Sequence, residues 1–204
     1  MTERIAVFLD YQNVLQTGHG LYGVHGTRDY ENAPHPVRVA ELIAERRARP
    51  SEAAAIRVYR GQPVSTFQPR PAATYEAQMS HWTRDARVHV HSRPLRYPGW
   101  TVQNMGTGCA RPMEKGIDVA LAVDLMHLAM RKQYDALVLF SSDTDLLPAI
   151  ETIVGARMTH LEVACWRGGP RLRLARTEKP WCHLLTRDDW RSVGEDWSGK
   201  HPAD

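Results

Sequence analysis

Three short acidic segments hold the residue types that could do chemistry. They are Asp10 with Asn13 in FLDYQN, Asp118 with Asp124 in EKGIDVALAVD, and Asp143 with Asp145 in FSSDTD. The first and third directly follow apolar runs, so each carboxylate lies where a buried strand would end. In an open parallel α/β sheet, ligands bind at the carboxyl ends of the strands. Carboxylates from distant parts of the chain would meet there. Gathered carboxylates repel one another, and a hard divalent cation with oxygen ligands relieves that repulsion. The chemistry indicated is a Mg²⁺ or Mn²⁺ site that hydrolyses phosphodiesters.

Each acid also has a plainer reading. Asp and Asn are common turn formers after any strand, which would account for Asp10 and Asn13. Asp118 falls in the first turn of an apolar helix, where the helix dipole favours a negative charge. It nevertheless shares a face with Leu121, Ala122 and Leu125 and so points inward, where a carboxylate is costly without a metal or a hydrogen bond. Asp124 lies further round the helix, nearer His127 and Arg131, and is a secondary candidate for which an ion pair with Arg131 is an equal alternative. Asp143 can cap the helix that follows it, but a cap explains neither Asp145 nor the preceding Ser141 and Ser142. Helix N-terminal amides also attract phosphate. Lys115, Arg93, Arg96 and Ser142 are the candidates for contacts to a nucleic-acid backbone.

The elements that must position these residues follow a βαβ rhythm. Strands are expected at Arg4–Leu9, Ala54–Tyr59, Arg87–His91, Ala136–Phe140 and Met158–Ala164, with a possible short strand at Trp181–Leu185. Pro36 is placed to open a helix, and further helices are expected over Pro69–Asp85, Gly116–Met130 and Thr144–Val154. The Gly116–Met130 helix is apolar through nearly its whole length and should be deeply packed. The Gly-rich stretch from Thr17 to Gly26 reads as a loop beside the first carboxylate, and Ser92–Met113, with its prolines and glycines, as a long loop. The expectation is an α/β fold: a doubly wound, mostly parallel sheet of about five strands with helices on both faces. It should form a single domain over 1–204, with an irregular C-terminal extension from about 168.

A chain of 204 residues with 43% hydrophobic and 24% charged residues is long enough for one substantial core and short for two. No apolar run approaches the roughly 20 residues that a bilayer crossing requires. The first ten residues have no signal-peptide pattern. Cys109, Cys165 and Cys182 are odd in number and widely spaced. They fit neither a disulfide framework nor a CxxC zinc site, and Cys182–His183 lacks a second ligand pair. A cytoplasmic protein without membrane association is expected. The net charge of +3 permits a polyanionic partner without demanding one. Its distribution is more telling. Arg84, Arg87, Arg93, Arg96 and Arg111 interleave with His89, His91, Tyr97 and Trp100, and Arg167, Arg171, Arg173 and Arg176 cluster later. Such groups can neutralise phosphates and stack on bases; the alternative is solvated loops and helix faces.

Taken in order, Asp10 with Asn13 at a strand end, KGIDVALAVD (Lys115 to Asp124) and LVLFSSDTDLLPAI (Leu137 to Ile150) resemble the NYN family of the PIN-like nuclease superfamily. The motifs cover about a fifth of the residues, and their spacing spans the chain to roughly Ala164. The resemblance implies a divalent-metal ribonuclease site at the C-terminal edge of the sheet. Asp10, Asp118 and Asp143 would bind metal, with Asp145 and Asn13 close by. Three features depart from the family: Ser142 stands where a Gly often precedes the third Asp, and neither the segment beyond about Gly168 nor the long Arg-containing loop ahead of Glu114 matches a motif. RNA is the expected partner, with a homo-oligomer possible. The alternatives are an RNA-binding or protein-interaction module with little turnover, and a metal-dependent phosphatase or nucleotidase. Asp10 lacks the second Asp two residues on that a haloacid-dehalogenase-type phosphatase would use.

Overall fold

A computed structural model describes residues 1–174 and 179–197. The elements in chain order are β1 (Glu3–Asp10), α1 (Tyr11–Tyr22), β2 (Ala33–Pro34), α2 (Pro36–Glu45), β3 (Ser51–Gln62), α3 (Pro69–Trp82), β4 (Val88–Pro94), α4 (Ile117–Arg131), β5 (Ala136–Phe140), α5 (Leu147–Gly155), β6 (His160–Trp166), β7 (Trp181–Leu185), α6 (Arg187–Val193) and β8 (Gly194–Glu195). Six strands form one sheet in the order β4-β3-β1-β5-β6-β7, and every pairing in it is parallel. β2 and β8 make a separate antiparallel pair.

Side chains alternate across the sheet and build a core on each face. Ile5, Val7 and Leu9 of β1 pack with α1, α2 and Trp82 of α3. Ala6 and Phe8 face the other way, towards α4 and α5. The chain builds outward from β1 to β3 and β4, then returns to place β5 on the other side of β1. β1 and β5 therefore flank the point where the winding reverses, and their carboxyl ends open the crevice in which such sheets bind ligands. No helix among the described residues is long and apolar enough to cross a membrane.

Four expectations need correction. The Gly-rich stretch after β1 is helical as far as Tyr22 rather than a loop. Gly18 explains why: a Cβ there would lie 2.3 Å from the Trp190 ring and 2.8 Å from the Trp166 indole nitrogen. The missing side chain lets α1 meet two indoles, and that packing overrides poor helix propensity. α4 is packed on one face only. Leu121 and Leu125 are fully buried, whereas Val119, Val123 and Met130 are exposed. The helix expected from Thr144 begins as a 3-10 turn, and α5 proper starts at Leu147. The segment from about 168 is not irregular throughout: β7 adds a sixth strand to the sheet, and α6 buries Trp190 and Val193. Arg176, counted in the second basic cluster, lies outside the described residues.

Candidate functional site

β1 delivers Asp10 to the crevice as its last residue, only 2% exposed. Asn13 follows in the first turn of α1 rather than in an open turn. Asp118 stands in the first turn of α4, which Gly116 introduces at a φ of 77°, a left-handed conformation that glycine adopts without strain. β5 ends at Phe140, and Ser141, Ser142 and Asp143 run across the mouth of the crevice.

Hydrogen bonds lock these segments together. Ser141 Oγ donates to Asp10 Oδ2 at 2.7 Å and accepts the Asp143 amide at 3.0 Å. The amide and hydroxyl of Ser142 both donate to Asn13 Oδ1, at 3.0 and 2.9 Å. The Asp145 amide donates to Asp143 Oδ1 at 2.9 Å, so Asp143 caps the 3-10 turn and still faces the crevice. Asp10, Asp118 and Asp143 each present a carboxylate oxygen within 4.8 Å of the others.

Glu114 is a fourth acid in this region that the sequence did not single out. It is half-buried and accepts a hydrogen bond from the Gly61 amide at the end of β3. A Cβ on residue 61 would lie 2.9 Å from the Glu114 carboxylate and 2.2 Å from Leu95, so a larger residue there would have to push these side chains aside.

Burial pushes the Asp10 carboxyl up to about 7; the Ser141 hydrogen bond opposes the rise, and the charges of Asp118, Glu114 and Asp143 add to it. Asp118 is also raised, first by burial and then by Asp143. Glu114 is raised by burial and by Asp118, against the Gly61 hydrogen bond. Among the described residues, no lysine or arginine forms an ion pair with Asp10, Asp118 or Asp143. A close all-oxygen donor set without a cationic partner fits a hard divalent ion such as Mg²⁺ or Mn²⁺.

The remaining predicted residues separate into two groups. Asp145 is exposed beside Asp143, and its charge reaches Asp118. Lys115, Arg93 and Arg96 are exposed around the entry to α4, and the Arg93 guanidinium stands 3.4 Å from the Cβ position of residue 116. Asp124 does not belong to the crevice. The Tyr59 hydroxyl donates to it and Arg57 Nη1 lies 3.7 Å away, so its partners come from β3 and not from Arg131. Arg87 leaves the basic group as well, bound to Asp85 at 2.7 Å and Glu41 at 2.9 Å. His183 makes a 2.7 Å bond to Glu162, which accounts for the histidine of the Cys182–His183 pair.

Two positions beside the carboxylates were not candidates from the sequence, although a helix cap left Ser141 unexplained. Ser141 joins Asp10 to Asp143, and its signal was a polar residue directly after a wholly apolar strand. Glu114 sits in an unpatterned loop, and its only signal was adjacency to Lys115. Beside the crevice, past Gly61, lies a cavity of about 640 Å³ whose lining includes Gln12, Gln16, Arg60, Gln78 and Arg111. Arg60, in its lining, is bonded to Gln78 at 2.6 Å and set 4.7 Å from the Tyr11 ring centre and 4.8 Å from that of Tyr75.

A family model described as NYN domain matches residues 4–168. No curated protein matches the sequence. Among solved structures, the chain is similar to a protein of unknown function from Vibrio parahaemolyticus RIMD 2210633. The two are 19% identical over 83% of this chain and 85% of that one, with a TM-score of 0.52, a likeness in fold alone.

Proposed function

The chain belongs to the NYN domain family, and from that premise we propose that it is a divalent-metal-dependent ribonuclease. The observation that carries the reading is the meeting of Asp10, Asp118 and Asp143 within 4.8 Å in the crevice between β1 and β5. In this reading those three residues hold Mg²⁺ or Mn²⁺. When bound, the ion supplies an activated water and charge stabilisation for phosphodiester hydrolysis. The chain's own contribution is mainly positional. Ser141 holds Asp10 and Asp143 in fixed relation, and Asn13 holds Ser142 and so the backbone that aims Asp143. In the same reading Asp145, whose charge reaches Asp118, would hold a second ion or orient the attacking water, and Glu114 adds negative charge beside Asp118.

The substrate side rests on charge. Lys115, Arg93 and Arg96 border the crevice and suit contacts to RNA phosphates. The cavity over Arg60 has room for one nucleotide beside the scissile bond. We further propose that the segment beyond residue 168, joined to the sheet through β7, works with the rest as one domain.

Incubation of end-labelled RNA with the protein, with and without EDTA, tests the reading. Cleavage that EDTA abolishes, and that the Asp143→Asn protein lacks while its circular dichroism is unchanged, is the expected result. Full cleavage by Asp143→Asn overturns the assignment. Tight RNA binding without products would select a binding module, and phosphate release from nucleotides without RNA cleavage would select a phosphatase.

A further inference from the structure

Away from the crevice, three metal-binding side chains converge from distant parts of the sequence. His35 precedes α2, His81 ends α3, and Glu195 lies in β8. One ligand atom from each lies within 4.8 Å of the other two. His35 Nε2 is 3.8 Å from Glu195 Oε2, and His81 Nε2 is 3.8 Å from Glu195 Oε1. The two imidazoles stand edge to face at 5.4 Å. We infer that His35, His81 and Glu195 form a second metal site, of zinc type, that clamps the C-terminal segment to α2 and α3.

Both imidazole–carboxylate separations are too long for hydrogen bonds, which lie near 2.7–3.2 Å. They suit donors that share one ion, since bonds of about 2.0–2.2 Å to Zn²⁺ put two donors up to roughly 4 Å apart. A second observation points the same way. His35 Nδ1 is buried without a hydrogen-bond partner, so no hydrogen bond at that nitrogen fixes the ring, and the 3.8 Å approach of its Nε2 to Glu195 is not a hydrogen bond either. Trp82 packs against His35 at 6.4 Å and Trp197 against His81 at 5.7 Å, and both indoles are buried, so they wall the cluster on one side.

The donor set separates this site chemically from the crevice. Two imidazoles and one carboxylate suit zinc with a water in the fourth position, whereas the all-oxygen crevice suits a harder ion. The placement suggests what the ion would do. Among the described residues β8 pairs only with β2, through two residues on each strand, and such a short ladder holds little by itself. A metal bridging β8 to the start of α2 and the end of α3 would fix a segment that lies beyond the matched family region. Trp82, next to His81, packs in a tilted arrangement against Tyr11 at 4.9 Å, and Tyr11 follows Asp10, so the clamp supports the layer under the crevice.

The test uses the full chain carrying Asp10→Asn, which weakens the crevice as a competing site. Metal-free protein is titrated with zinc chloride by calorimetry, and Co²⁺ is added separately to read its visible spectrum. The inference expects one zinc per chain, the intense bands of four-coordinate Co²⁺, and a rise in Tm. His81→Ala and Glu195→Gln, each added to the same background, should weaken zinc roughly 100-fold or more and remove the rise in Tm. X-ray absorption on the zinc-loaded wild-type chain should show two imidazoles, a readout that needs no variant to fold. Absence of zinc uptake, zinc without imidazole ligands, or unchanged affinity in both variants would overturn the site.

Discussion

At the N-terminal edge of the sheet, buried Glu162 of β6 is held by Arg47 at 2.8 Å and by His183 at 2.7 Å. At the C-terminal edge, equally buried Asp10 of β1 meets a serine and other acids. Burial alone would raise both carboxyls. At Glu162, the hydrogen bonds from His183 and Arg47 outweigh burial and hold the group down at about 2. At Asp10 nothing outweighs it, and the group rises to about 7. One edge neutralises its acid with the protein's own cations, and the other gathers acids that have no lysine or arginine ion-pair partner among the described residues. The first arrangement leaves the fold dependent on keeping its pair intact, and the second costs stability, which under the proposed function makes a place to bind.

The comparison breaks most plainly by removing one charge from each edge. Asp10→Asn, Asp118→Asn and Asp143→Asn should each lower RNA cleavage roughly 1000-fold or more while the far-ultraviolet spectrum stays native. Arg47→Ala should do the reverse: cleavage per folded molecule holds, while stability falls by about 3–5 kcal/mol because Glu162 is left as a buried charge without its arginine partner. For a chain of this size that is about 10 °C in Tm, measurable by differential scanning calorimetry. Normal stability in Arg47→Ala, or normal cleavage in all three crevice variants, would erase the distinction between the edges.

The two edges were not equally legible in the sequence. Asp10 and Asp143 announced themselves because each ends a short apolar run, and the winding order of a parallel sheet brings such ends together. The NYN resemblance rested on the same segments, and the family match confirms it. Asp118 was readable from helical periodicity, whereas Asp124 on the same helix was misplaced because its partners, Tyr59 and Arg57, come from a strand 65 and 67 residues away. Glu114 was hidden for a related reason. It earns its place through a backbone amide on Gly61, and no local pattern records a contact across 53 residues. The Arg47–Glu162–His183 network was invisible on the same grounds. α1 was misread because Gly18 looks like a breaker until the indoles of Trp166 and Trp190 are in place.

A sharper form of the comparison uses pH. Asp10 has a folded pKa raised from 3.8 to about 7, so its protonated form stabilises the metal-free fold. That contribution is complete below about 4 and is lost as pH rises through 7. Glu162 has a folded pKa lowered from 4.5 to about 2, so its contribution is present above 4.5 and is lost as pH falls towards 2. In EDTA, Asp10→Asn should therefore raise Tm at pH 8 by about 2–4 °C, corresponding to roughly 1 kcal/mol, and gain nothing at pH 4. Mn²⁺ should raise the Tm of the wild-type chain more at pH 8 than at pH 5.5, because at the lower pH the ion must displace a proton from Asp10. A Mn²⁺ effect independent of pH would mean that the ion binds elsewhere.

The smallest expected effect lies on the rim, where exposed cations border the acidic edge. Lys115, Arg93 and Arg96 make no ion pair with a carboxylate among the described residues, so their charge is available to a phosphate backbone. Removing one such contact should weaken RNA binding evenly across sequences and lower the slope of log affinity against log salt by about 1. Lys115→Ala is the cleanest case, since the side chain is exposed and only three residues before Asp118. Its cleavage rate at saturating RNA should stay near the wild-type value while KM rises several-fold in moderate salt. A fall in kcat with KM unchanged would move Lys115 from the binding rim into the reaction itself, where its ammonium would stabilise charge on the phosphate during cleavage. An unchanged salt slope would place the RNA path on another face of the crevice, with Arg60 and Arg111 of the neighbouring cavity as the next cations to remove.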